Sequence, residues 1–473
     1  MTQQGVRWTA DQVLALAPDA ASREAGSELG AASPWSEAGH SDEGTVWGLC
    51  KGSGSKPYRT VIDVADASGP AYTCSCPSGK VPCKHALGLL LLWAGGDGAV
   101  PRGQAPDWAV RWASDRRRHV REEGRGKRTT DGASGDAPAG REAARRRAER
   151  RSEHVTAGAV ELERRLGDLL RGGLAAAERE GYGLWEETAA RMVDAQAPGL
   201  ASRVRELGAI PASGPGWPVR LLEECALLHL LGQGWLRRER LPDGLAATVR
   251  SRIGLPAPAE GPALRDHWSV LAQYDTADSR LTTRRIWLHG ARSGRTVLLL
   301  SYGAAGRAPE LSLPVGLVLD ADVRAHPGAG RLRVALGERY GRGDASASGQ
   351  GARPPGVGVA RAAALYGEAL RDDPWLDSYP VTLSGVVPGP DGGDGGSRGC
   401  GGGGGTGDRW QLADADGDSA LPLTSSARSR SGLWRLVALS GGAPVTVFGE
   451  CGHRGFTPLT AWPQGPGAAV PLC

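Results

Sequence analysis

Apolar positions along this chain follow three rhythms in succession. Between residues 45 and 76, the short runs TVWGLC (45–50), YRTVIDV (58–64) and AYTCSC (71–76) are rich in β-branched and aromatic types. They are separated by turn formers such as GSGSKP, which predicts antiparallel strands with a hairpin between the first two. KHALGLLLLWA (84–94) is instead an almost unbroken apolar run behind Pro82. It predicts a helix of about three turns that is apolar nearly all round and therefore buried.

From about residue 153 the spacing becomes helical. VTAGAVELERRLGDLLRGGL places Val160, Leu162, Leu166, Leu169 and Leu170 near one face, with charge on the other. LWEETAARMVDAQAPGLASRVRELG predicts two helices broken at Pro198 and Gly199, and RLLEECALLHLLGQGWL a further apolar helix. After about residue 256 the segments shorten again. RRIWLHG and RTVLLLSYG, joined through ARSG, read as a hairpin, and VGLVLDADVRAH, RLRVALGERYG and VTLSGVV as further strands of an antiparallel sheet, with one helix in VARAAALYGEALRDDPWLDSYP. The expected fold class is α+β multidomain: a ββα-like zinc finger domain over 1–112, an Arg-rich disordered linker over 113–152, a helical region over 153–255, and an antiparallel β-rich region over 256–473. A Gly-rich insertion at 389–408 is read as a loose hairpin excursion, because glycine tracts cannot pack a core.

Composition refines this picture without overturning it. The 473 residues carry a formal net charge of only +4, yet residues 111–151 hold 13 arginines and Lys127 against seven acids. That stretch has no apolar periodicity and only one aromatic residue, Trp112. It reads first as a solvated tether and second as an electrostatic grip on phosphates. No apolar run approaches membrane-spanning length. MTQQGVRWTADQ has no basic region leading into an apolar core, so the expectation is a cytoplasmic protein.

The chemistry concentrates in CSCPSGKVPCKH. Cys74 and Cys76 are spaced i, i+2, which on an extended strand points both sulfurs to one face. Pro77, Ser78 and Gly79 then turn the chain, placing Cys83 at the start of the predicted helix and His85 in its first turn. Three thiolates and an imidazole complete a closed tetrahedral Zn2+ shell, the arrangement of a structural site. A disulfide is the other possibility for such cysteines, and a reducing compartment argues against it. Cys50 ends the first predicted strand; it is read as a core thiol near the metal, a spare ligand only if His85 does not bind.

These residues resemble a known family. C-x-C, a short spacer, and C-x-H followed by an apolar helix are similar to the SWIM zinc finger. WGLCKGSGSKPY before it and CSCPSGKVPCKHALGLLLLWA itself resemble a group of actinobacterial SWIM zinc finger proteins, a likeness that extends to RMVDAQAPGLASRVRELG. The resemblance implies zinc binding, with DNA or protein interaction as the family's proposed role, and brings no catalytic residues.

Other constellations read as structure. Cys225 and His229, spaced i and i+4 on an apolar helix, read as buried core because two ligands do not close a zinc shell. Asp414, Asp416 and Asp418 around Gly417 read as a β-turn, since a calcium loop's distal Glu is missing. Cys451 and His453 read as a surface loop, and Trp434, Phe456 and Trp462 as sheet packing. No phosphate-binding loop, nucleophile elbow or H-E-x-x-H occurs, so no enzymatic activity is expected.

Two function classes remain. In the first the finger binds nucleic acid, DNA in particular, with Lys51, Lys56, Arg59, Lys80 and Lys84 offered to phosphates; four of the chain's five lysines lie here. In the second the chain is a protein-interaction scaffold, which needs no base-reading surface and accounts for the long remainder. The buried helix after His85 counts against reading of bases.

Overall fold

The computed structural model describes residues 10–473 except 15, 18–19, 52–55, 65–69, 79–81, 97, 117, 119–137, 175–176, 178–181, 256, 278–280, 305–308, 310, 329, 341–352, 391–408, 429–430 and 466. The architecture is mixed α+β: a small zinc finger domain, a helical bundle, a closed β-barrel and a six-stranded sheet.

The first unit is a four-stranded antiparallel sheet in the order β1 (Trp35–His40), β2 (Thr45–Cys50), β3 (Tyr58–Asp63) and β4 (Ala71–Cys74). Alternation along the strands gives it two covered faces. Val46 and Ile62 pack against α3 (Lys84–Ala94), which is also in contact with α1 (Ala10–Leu14) and α2 (Ala20–Glu28). Trp47 and Val61, paired across β2 and β3, face the opposite way and are covered by Trp108, Ala109 and Trp112 of α4 (107–116). The sheet is thus sandwiched, and α3 is enclosed from His85 to Trp93 apart from the half-buried Leu91.

The next helix, α5, runs from Pro138 to Gly172 and so begins inside the stretch expected as linker. Arg145 and Arg146 pair with Glu142, and Arg145 also with Glu149, at the i, i+3 and i, i+4 spacings that support an exposed helix. Helices Tyr182–Asp194, Pro198–Leu207, Trp217–Leu236 and Asp243–Ile253 complete the bundle. Its seam on α5 is Val155, Ala159, Leu162 and Leu166. Val160 and Leu170, expected on that face, are 55% and 48% exposed. The buried set keeps alternating steps of three and four residues, and each of these two lies one residue beyond, about 100° around the helix. The chain breaks between Asp194 and Pro198, where Gln196 takes a φ of 59° and Pro198 opens the next helix.

The single antiparallel sheet expected after residue 256 is two bodies. Strands β5 (Leu264–Ala277), β6 (Leu281–Gly290), β7 (Thr296–Ala304), β8 (Val318–Ala325) and β9 (Arg333–Arg339) close into a barrel in the order β5-β6-β7-β9-β8. The β6–β7 hairpin is as expected; closure depends on a short parallel pairing of β7 with β9. The second body has the order β12-β11-β10-β13-β14-β15, with β10 (Ser378–Pro390), β11 (Trp410–Asp414), β12 (Ala420–Pro422), β13 (Val445–Gly452), β14 (Gly455–Trp462) and β15 (Val470–Pro471). Helices Val359–Leu370 and Gly432–Ser440 pack on this sheet. Leu271, Trp287 and Leu298 of the barrel share a core with Phe448, Leu459 and Trp462 of the sheet. Residues 391–408 of the glycine insertion lie outside the described residues; the flanking Pro390 and Trp410 pair across β10 and β11. Among the described residues no helix is long and apolar enough to cross a membrane.

Candidate metal centre

The centre forms where β4 ends and α3 begins. Cys74 is the last residue of β4, directly opposite Thr60 on β3, and the Thr60 hydroxyl lies 3.3 Å from its sulfur. Cys83 is the N-cap of α3, its backbone extended and its sulfur accepting the Ala86 amide at 3.4 Å. This satisfies one of the amides that a helix start leaves free and points the sulfur back toward β4. His85 follows in the first turn, buried, with Nδ1 3.8 Å from the Cys74 sulfur.

Cys74, Cys76, Cys83 and His85 bring one donor atom each to within 4.8 Å of one another. A tetrahedral zinc shell with Zn–S bonds of about 2.3 Å separates its sulfurs by about 3.8 Å, so a small contraction completes it. Three soft sulfurs and one imidazole leave no open position, which is a structural donor set. The charges suit a dication. Hydrogen bonding from Cys83, assisted by His85 and Thr60, holds the Cys74 thiol down at about 3 against the effect of burial. Cys83, the donor of that pair, is pushed up, and burial raises Cys76. One sulfur is therefore readily a thiolate, and a bound dication would draw the remaining protons off the other two.

Cys50 is fully buried, its sulfur 3.8 Å from the Lys51 carbonyl oxygen. Burial raises its pKa, with the charges of Cys74 and Cys76 adding to the effect and Lys84 opposing it. It is a neighbour of the four-residue cluster and stands outside it.

The five cations proposed for phosphate contact separate. Lys51 and Lys56 flank the β2–β3 turn, which the Cys50–Tyr58 pair closes, and Tyr58 stacks on His85 at 4.9 Å between centroids. Lys84 precedes His85, so all three exposed lysines belong to the metal-bearing end. Arg59 points to the other face, its guanidinium 5.7 Å from the Trp108 ring centroid. Lys80 lies outside the described residues.

The remaining constellations are structural, with three corrections. Cys225 is core, but His229 is 57% exposed and its Nδ1 lies 2.6 Å from Glu163, because the i+4 step carries it past the buried face. Cys451 is buried in β13 and not on a loop; His453 lies in the β13–β14 turn against the Tyr366 hydroxyl at 3.2 Å. Phe456 and Trp462 are core, whereas Trp434 is 63% exposed on its helix, edge-on to Trp410. Asp414 does begin a turn: its carbonyl accepts the Gly417 amide, and its carboxylate accepts the amide of Val359 at the start of a helix. Sequence reading missed Thr60 and Tyr58 as supports of the cluster; the strand register that places them becomes visible only once β3 and β4 are paired.

Residues 58–94 match the model of the SWIM zinc finger, and residues 150–253 that of the SWIM-associated four-helix bundle domain. No curated protein and no solved structure matches the chain.

Proposed function

We propose that this SWIM zinc finger protein binds nucleic acid, DNA in particular, through its phosphate backbone, and that zinc's part is to hold the binding hairpin in shape without catalysis. The observation that carries this is the exposure of Lys51, Lys56 and Lys84 around the metal-bearing end of the finger. Elsewhere the cations are overwhelmingly arginine, with Lys127 the one remaining lysine, so the lysine concentration is a local feature of this hairpin. The burial of α3 on nearly every side removes it as a groove reader, so the binding is electrostatic and weakly dependent on sequence.

The test is fluorescence anisotropy of labelled duplex DNA, single-stranded DNA and RNA with the full-length protein across a salt series. Binding should be strongest at low salt. Replacing Lys51, Lys56 and Lys84 together by Ala should weaken it and reduce the slope of log K against log salt by about two to three. No binding at low salt would sink the reading. A protein-interaction scaffold would then take its place, a reading favoured by Val219, Leu222 and Leu230, which stand 62%, 48% and 45% exposed on the helix Trp217–Leu236.

A further inference from the structure

The helical bundle contains a cavity of about 420 Å³, distinct from the metal centre, whose walls include Leu162, Leu166, Trp185, Val204, Leu207 and Leu228. These six come from four helices: α5, Tyr182–Asp194, Pro198–Leu207 and Trp217–Leu236. Each is buried, so the space reaches into the core of the bundle. Its size falls in the lower part of the range usual for small-molecule sites, and the space between bundle helices is a common place for one.

The polar groups at this cavity define what it would accept. Arg165 is matched to Glu161 and Glu187, and Arg164 to Asp168. The Thr188 hydroxyl donates to the Leu184 carbonyl and accepts from Arg165. These charges are mutually satisfied, so a charged ligand would gain no unmatched partner. Trp185 is different: it is 4% exposed, and its indole Nε1–H is buried with no acceptor. Buried indole N–H groups are ordinarily hydrogen-bonded, and leaving one unpaired is costly.

We propose that this cavity is a binding site for a small, neutral, mostly apolar molecule carrying a hydrogen-bond acceptor, which the Trp185 indole N–H engages. Burial of the walls supplies affinity, and the single donor orients the ligand. This site stands independently of the nucleic-acid reading, since no residue of the finger contributes to it.

The probe is prodan, a neutral naphthyl ketone whose carbonyl accepts a hydrogen bond and whose emission moves to the blue in apolar surroundings, titrated into the full-length protein. Saturable binding of one prodan per chain is expected. Trp185→Phe, which keeps the ring and removes the donor, should weaken it about tenfold. Leu169→Trp, placed at a half-buried position on the cavity wall, should abolish it. Thermal melting checks that each variant folds, and Leu184→Trp fills the cavity from the opposite helix if Leu169→Trp does not. Absence of saturable binding, or equal affinity in the wild type and the folded variants, would overturn the proposal.

Discussion

Tyr58 lies against His85, with ring centroids 4.9 Å apart and planes tilted by 44°. The first residue of β3 thereby braces a ligand in the first turn of α3, holding the imidazole with Nδ1 toward Cys74. A residue beyond the ligand set that orients a ligand typically carries a tenth or less of the metal affinity when removed.

Tyr58→Ala should therefore keep the zinc but bind it about tenfold more weakly, as read by competition with a chromophoric chelator. Unchanged affinity would show that the stack is packing alone.

Cys76→Ser should lose the metal altogether. Elemental analysis is expected to give about one zinc per chain in the wild type and none in the variant. Chelation of the wild type should expose residues 58–94 to proteolysis while the melting of the bundle persists, since the bundle has its own core.

The barrel should weaken on acidification in two steps. Asp266, whose side chain is 1% exposed, accepts the amides of His267, Arg292 and Ser293 at 2.7, 3.0 and 2.8 Å. Burial would raise its pKa, but hydrogen bonding from Ser293, Arg292 and His267 holds it below the ordinary 3.8. The unfolded chain then binds the proton more readily, so this stability is fully present above 3.8 and is lost as pH falls through the folded value. Burial likewise lowers His289 below 6.5, with the charge of Asp266 opposing; its share is full above 6.5 and is lost as pH falls toward its folded value. Urea unfolding against pH should show both steps. Asp266→Asn should remove the lower one and cost about 2 to 3 kcal/mol at neutral pH, because charge-assisted hydrogen bonds are lost.

Glu450 should prove to be the tie between barrel and sheet. Its Oε1 accepts the Tyr274 hydroxyl at 2.6 Å and the Trp287 indole N–H at 2.8 Å, and its Oε2 the Ser378 hydroxyl at 2.9 Å. Glu450→Ala leaves these donors without an acceptor and should destabilise by about 3 kcal/mol in urea, with Glu450→Gln costing less.

Gly199→Ala should damage the bundle out of proportion to its size. A methyl there would overlap the backbone oxygen of Arg252, so Pro198–Leu207 and Asp243–Ile253 could not keep their spacing. A loss of about 1 to 3 kcal/mol is expected from chemical denaturation, the usual cost of overpacking.

The metal ligands were legible in the sequence because they are local. Cys74 to His85 span one strand end, one turn and one helix start, and the geometry of those elements alone directs the donor atoms together. The buried helix from Lys84, the break before Pro198 and the β6–β7 hairpin were legible for the same reason. Charge placement was legible too, though Arg59 turned out to face Trp108 and not the lysines, since strand alternation and the docking of α4 decide its side.

Where a feature joins segments distant in the chain, pattern was silent or misleading. The exposure of Val160 and His229, the burial of Cys451, the Glu450–Trp287 bond and the cavity beside Trp185 all follow from which faces meet. So does the division of the C-terminal strands into a barrel and a sheet, because alternation marks a strand without naming its neighbour. The sequence by itself determined a zinc-stapled finger and the kinds of element that follow it, since spacing and rotation within one element are properties of the local backbone. Only the tertiary structure decided which surfaces those elements bury and which donors they leave unmatched, since burial depends on partners that the local chain does not specify.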